Sequence, residues 1–129
     1  MKKLSLLFLI LMLGMGAFAQ KTYSWRNEAT NGNWNKAGNW SYGTDIKQIP
    51  GGGEILSFGN DNQLIMTNDL PGYTRHQIIF TNSATQSRTI SGTIENVFQN
   101  YSSNYGKIEN NSSANQTINF PLKWLYGGT

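Results

Sequence analysis

The chain has 129 residues, with 10 Lys+Arg against 7 Asp+Glu, 14 Gly, 4 Trp and no cysteine. Without cysteine there are no disulfide staples and no thiolate zinc site. Lys2 and Lys3 stand at the extreme N-terminus; the rest of the chain has no Lys/Arg cluster to neutralise nucleic-acid phosphates or to hold an anionic membrane.

Residues 1–19 predict a cleavable export signal. Lys2-Lys3 gives the positive start, Leu4 to Leu13 is apolar except for Ser5, and Ala17-Phe18-Ala19 is a small-x-small cleavage site. The run is shorter than the about 20 apolar residues that span a bilayer. Cleavage between Ala19 and Gln20 is expected. It leaves an exported chain without a membrane span, extracellular or at the cell surface, and the short leader points to a bacterial source. The remaining 110 residues contain 16 Asn and only 35 apolar residues, few for a compact globule. Those apolar residues are mostly Ile, Leu, Phe, Tyr and Trp in short runs, which is not the pattern of a disordered chain.

Residues 20–53 form a Trp/Gly/Asn-rich region. Trp25, Trp34 and Trp40 carry two readings. Exposed, they would make a platform for stacking on sugar faces. Buried, they would fold over an open sheet end, where bare apolar surface and unpaired edges need covering. The covering reading is favoured, and Tyr23 and Tyr42 would join either role. From residue 54 the chain is a series of short apolar runs. Strands are expected at Glu54–Phe58, Gln63–Thr67, Gln77–Thr81, Arg88–Ser91, Thr93–Phe98, Gly106–Glu109 and Gln116–Tyr126, and no helix is expected beyond the leader. Leu56 with Phe58, Ile78 with Phe80, and the series Ile118, Phe120, Leu122, Trp124 each mark one dry face. Gly92 suggests a bend and Pro121 a corner. Asn60, Asn68, Asn82 and Asn110 each follow an apolar run.

That pattern fits a stacked β-coil, in which equivalent positions lie about 4.8 Å apart and Asn amides can form ladders. It also fits an antiparallel β-sandwich in which Asn and Gly merely mark hairpin turns. The residue pattern leaves both open.

The order of the segments resembles a known family. Gly32-Asn33-Trp34 and Gly38-Asn39-Trp40-Ser41 are followed by Ile49-Pro50-Gly51, a strand ending in Phe58, and Thr67-Asn68-Asp69-Leu70. Then come Ile78-Ile79-Phe80, Thr89-Ile90-Ser91-Gly92 and Gln116-Thr117-Ile118-Asn119-Phe120-Pro121-Leu122. The series is similar to the N-terminal region of bacterial surface proteins with autotransporter-associated β-strand repeats. The resemblance implies an all-β, right-handed parallel β-solenoid, displayed or secreted by a Gram-negative bacterium, in an adhesin-like role. On that reading 20–53 is the cap and 54–129 holds the coils. The chain departs from the family in Gly53-Glu54, where Gly-Asp is usual. Its ending, close after an apolar strand, reads as an interrupted stack.

Catalytic chemistry has little support. His76 is the only histidine, and no motif supplies it with a nucleophile or an orienting carboxylate. Among the carboxylates, Asp61 and Asp69 sit in turns, where Asp caps backbone amides. The Asn60-Asp61-Asn62 spacing matches no calcium loop. The Asn-x-Ser/Thr matches at Asn39, Asn100, Asn111 and Asn115 are what chance gives in so Asn-rich a chain. The expected function is therefore non-enzymatic, structural and adhesin-like, with no cofactor and no metal, and with surface glycans or host and matrix surfaces as partners. A small carbohydrate-binding module using Trp25, Trp34 and Trp40 is the alternative.

Overall fold

A computed structural model describes residues 20–44, 47–60, 62–70, 77–99 and 106–125. The expected leader with Ala19 lies outside the described residues, as do Asp45, Asp61, His76, Asn100 and Tyr126. The described chain is all-β. Its strands are β1 (Thr22–Trp25), β2 (Trp40–Tyr42), β3 (Ile55–Phe58), β4 (Ile65–Asn68), β5 (Gln77–Phe80), β6 (Arg88–Gly92), β7 (Asn96–Gln99), β8 (Ile108–Asn110), β9 (Gln116–Asn119) and β10 (Leu122–Leu125). A three-residue 3-10 turn at Ala37–Asn39 precedes β2.

The strands make three sheets. The largest runs β2-β1-β3-β5-β8, the second β4-β6-β9, and the third pairs β10 with β7. The β1–β2 pair is antiparallel, and every other strand pairing among the described residues is parallel. This parallel majority departs from the antiparallel sandwich kept open above. The parallel pairing joins strands that are not consecutive in the sequence, so no local hairpin sets its register. Side chains set it, because a one-residue slip would turn every inward residue to water.

The inward rows show this. Tyr23, Leu56, Ile78 and Ile108 lie in register across the large sheet, with Phe58 beside Phe80. Met66, Ile90 and Ile118 do the same across the second. Leu56, Phe58, Met66, Ile78, Phe80 and Ile90 are each 0–1% exposed. Full burial of a side chain of this kind stabilises by roughly 1.5–3 kcal/mol before entropy is counted. On β4 the other face is wet: Ile65 is 81% exposed, and Thr67 is exposed beside it.

Three sequence expectations are corrected. Thr22–Trp25 and Trp40–Tyr42 are strands within the region read only as a cap. Their alternation is too short to stand out, but β3 gives β1 a parallel edge to join. The run expected over Gln116–Tyr126 breaks at Phe120–Pro121 into β9 and β10, which lie in different sheets. Pro121 cannot donate to a ladder, so the chain turns there. The single dry face expected for Ile118, Phe120, Leu122 and Trp124 is therefore absent: Phe120 is buried, whereas Leu122 and Trp124 are exposed. Finally, the described Asn amides make no ladder. Asn60 Nδ2 donates to Trp25 O (2.6 Å), Asn68 Nδ2 to Ile94 O (3.4 Å) and Asn110 Nδ2 to Ala114 O (3.1 Å). Carbonyls in irregular segments lack ladder partners, and these short amides reach them.

Candidate functional site

The three tryptophans come together at one place. Trp25 on β1 and Trp40 on β2 are register partners and meet edge to face at 4.9 Å. Trp34 belongs to the loop between them. Trp34 N donates to Thr67 O (3.0 Å) and Thr67 N to Gly32 O (2.9 Å), which lays this loop along β4. The close approach needs Gly32, because a Cβ there would stand 2.2 Å from Ile65 O. All three indoles pack on Phe58, with ring centroids 5.6–6.1 Å away. Trp40 Nε1 donates to Trp34 O (2.8 Å). Exposure is 3% for Trp25 and 0% for Trp34 and Trp40, so none of these three indoles is open to stack on a sugar. The platform considered for these residues is not presented, because the rings bury more apolar area against one another and Phe58 than they could against solvent-facing ligand.

Two further residues organise this region. Asn39 is 1% exposed, and its Nδ2 donates to Asn31 O, Asn31 Oδ1 and Asn33 O at 2.8–3.0 Å. Its Oδ1 accepts from Thr30 N (3.3 Å). One amide thus ties the Thr30–Asn33 loop to the start of β2. Arg88 opens β6 like a surface residue, yet it is 1% exposed. Its guanidinium lies 5.3 Å from the Phe58 ring and 5.9 Å from Phe80, and donates to Asn60 O. A cation over aromatic faces gains from the ring quadrupole, more so when desolvated.

The open concavity lies on the outer face of the large sheet. Ser41, Ser24 and Ser57 are neighbours in register across β2, β1 and β3. With Arg26, Asn27, Glu28, Asn60 and Thr81 they line a groove of about 450 Å³. Arg26 is anchored twice: Nη1 donates to Gly38 O (3.0 Å) and Nη2 lies 3.3 Å from Glu28 Oε2. Asn62 Nδ2 donates to Asn27 O (2.6 Å) and Ala29 O (2.9 Å), fixing the turn that carries Glu28. Hydroxyls, amides and one ion pair can hold a polyhydroxylated ligand through hydrogen bonds. Among the described residues, Glu28 is the carboxylate that lines this groove.

Two other carboxylates, Asp69 and Glu54, serve the backbone. Asp69 Oδ1 accepts from Asn35 N (2.7 Å), a capping role at long range rather than within its own turn. Glu54 Oε2 accepts from Gly51 N (2.6 Å). Burial raises the Glu54 pKa above the ordinary 4.5, against the lowering pull of the Gly51 amide, Lys21 and Tyr23. Burial also raises the Tyr23 phenol, with Glu54 adding to it. Among the described residues no group of three or more His, Cys, Asp or Glu could hold a metal ion, and no helix is long and apolar enough to cross a membrane. Compared with protein-family models, curated proteins and solved structures, the chain matches none.

Proposed function

We propose that this chain is a non-enzymatic section of an exported, cell-surface β-solenoid, with the Trp-rich region as its N-terminal cap and an adhesin-like role. The observation that carries the reading is the repeated order of strand pairing. β3 is followed by β4; β5, β6 and β7 follow, and then β8, β9 and β10. Each strand of a later set pairs, parallel and in register, with its counterpart in the set before. Like residues meet along this series: Phe58 with Phe80, Ile78 with Ile108, Thr89 with Thr117 and Ile90 with Ile118. Stacked coils of one handedness produce such rows. The antiparallel β2 at one margin, with three indoles packed over Phe58, is what covering the first coil requires. The resemblance to surface proteins with autotransporter-associated repeats points the same way. The hydroxyl-lined groove over Ser24, Ser41 and Ser57 is then the contact for surface glycans.

Two measurements test this. In a Gram-negative host, intact cells treated with protease should release the protein, and its N-terminus should be Gln20. Retention in the cytoplasm with residues 1–19 attached would sink the surface reading. Filling the groove with Ser24→Tyr should lower retention on insoluble polysaccharide while Trp emission is unchanged; undiminished retention would remove the groove from the contact.

A further inference from the structure

The last strand of the large sheet, β8, is written so that it can pair with itself. In the strand order β8 has β5 on one side and, among the described residues, no strand on the other. Ile78 N donates to Lys107 O (2.9 Å) and Asn111 N to Phe80 O (2.8 Å). Backbone groups alternate sides along a strand, so residues 107, 109 and 111 face β5. The N–H and C=O of Ile108 and Asn110 face the open edge. Lys107 and Glu109 flank Ile108 on the outer face, ion-paired with each other and with side chains 49% and 37% exposed.

Lysine on an edge ordinarily discourages strand addition. A Lys–apolar–Glu triplet does not discourage one partner, its own antiparallel copy. A two-fold axis through Ile108 lets the two Ile108 residues exchange both N–H···O bonds. It sets Lys107 directly opposite Glu109 of the second copy, and Glu109 opposite Lys107 of that copy. These pairs fall at the closely spaced, non-hydrogen-bonded positions, where opposite charges attract best. Parallel addition in the same register would set Lys against Lys.

Apolar surface lies on a neighbouring sheet margin. β10 is the terminal strand of its sheet and is exposed at all four positions, with Leu122 at 41%, Trp124 at 54% and Leu125 at 37%. Lone exposed side chains are ordinary, but Leu122 and Trp124 share one face of this edge strand and make a patch that a partner can cover. We propose that the chain forms a two-fold dimer through antiparallel pairing of β8 with β8 of a second copy.

Sedimentation equilibrium on the purified chain tests this. The wild type should be a dimer that weakens as salt rises, since the opposed charges are solvent-exposed. Lys107→Glu and Glu109→Lys should each weaken dimerisation about ten-fold or more, because each sets like charges opposite one another twice. An equimolar mixture of the two variants should dimerise again, Glu facing Lys at both positions. Because neither variant can restore its own internal ion pair, recovery in the mixture reports the contact between copies and not repair of the fold. A monomeric wild type at every concentration overturns the proposal. So does a dimer indifferent to both substitutions, which would use another surface. Growth beyond the dimer into open-ended assemblies overturns it too, since that needs head-to-tail contact.

Discussion

Single residues decide the region before β3. Asn39 carries three donated bonds and one accepted one inside the fold, so Asn39→Ala strips partners from the Asn31 and Asn33 carbonyls and the Thr30 amide. A loss of about 2–3 kcal/mol is expected, read as a lower urea midpoint. Phe58 touches all three buried indoles, Phe80 and the Arg88 guanidinium. Phe58→Ala should cost about 3–5 kcal/mol. Glu54 gives a pH effect with a definite sign. Burial raises its pKa above 4.5, so the folded state holds the proton more tightly than the unfolded chain does. Its contribution is full below the ordinary value and is lost as pH rises through the raised one. Glu109 works the other way: bonds from Lys107 and Asn111 lower its pKa, and its contribution is lost as pH falls. Comparing wild type with Glu54→Gln isolates the first effect. The urea midpoint of wild type relative to the variant should fall as pH rises from below 4.5; a difference that grows instead would put Glu54 in a net stabilising ion pair.

At the scale of elements, position within the sheet should set local stability. β3 has a parallel neighbour on each side, as does β5, while β2 and β8 each have a single neighbour, antiparallel for β2 and parallel for β8. Amide hydrogen exchange should be slowest in β3 and β5 and fastest in β2, β8 and β10. The tryptophans divide in the same way. Trp25, Trp34 and Trp40 are buried, and Trp124 is 54% exposed, stacked on Phe98 at 4.4 Å. Iodide should quench a minor part of the emission, and Trp124→Phe should abolish that part. Most strands after residue 54 were legible because alternation with turn residues is a local signal. The ends moved where a backbone partner, not a side chain, settled them: β7 starts at Asn96, whose N–H donates to Pro121 O (2.9 Å), rather than at Thr93. β1 and β2 were not legible, since four- and three-residue alternations inside a Trp/Gly/Asn-rich stretch look like loop until β3 supplies an edge.

For the whole molecule, the register of distant strands is the feature to test. The chain lacks cysteine, so a single engineered pair reports cleanly. Thr67 and Ser91 are register partners on β4 and β6. Neighbouring strands lie about 4.8 Å apart, within the Cα range a disulfide spans. Thr67→Cys with Ser91→Cys should cross-link in the native state and not in urea; Thr67→Cys with Thr89→Cys, two residues out of register, should cross-link much less. A protein held by such non-local pairs should also fold slowly, in milliseconds to seconds. The amino-acid sequence by itself determined that the chain is β, where most strands run and which faces of β3 and β5 are dry, because alternation and turn chemistry act over a few residues. Only the tertiary structure decided that all strand pairs but one are parallel, that Trp25, Trp34 and Trp40 are buried and that Arg88 lies beneath the surface. Those outcomes depend on which distant strand arrives alongside, and no short window of residues contains that partner.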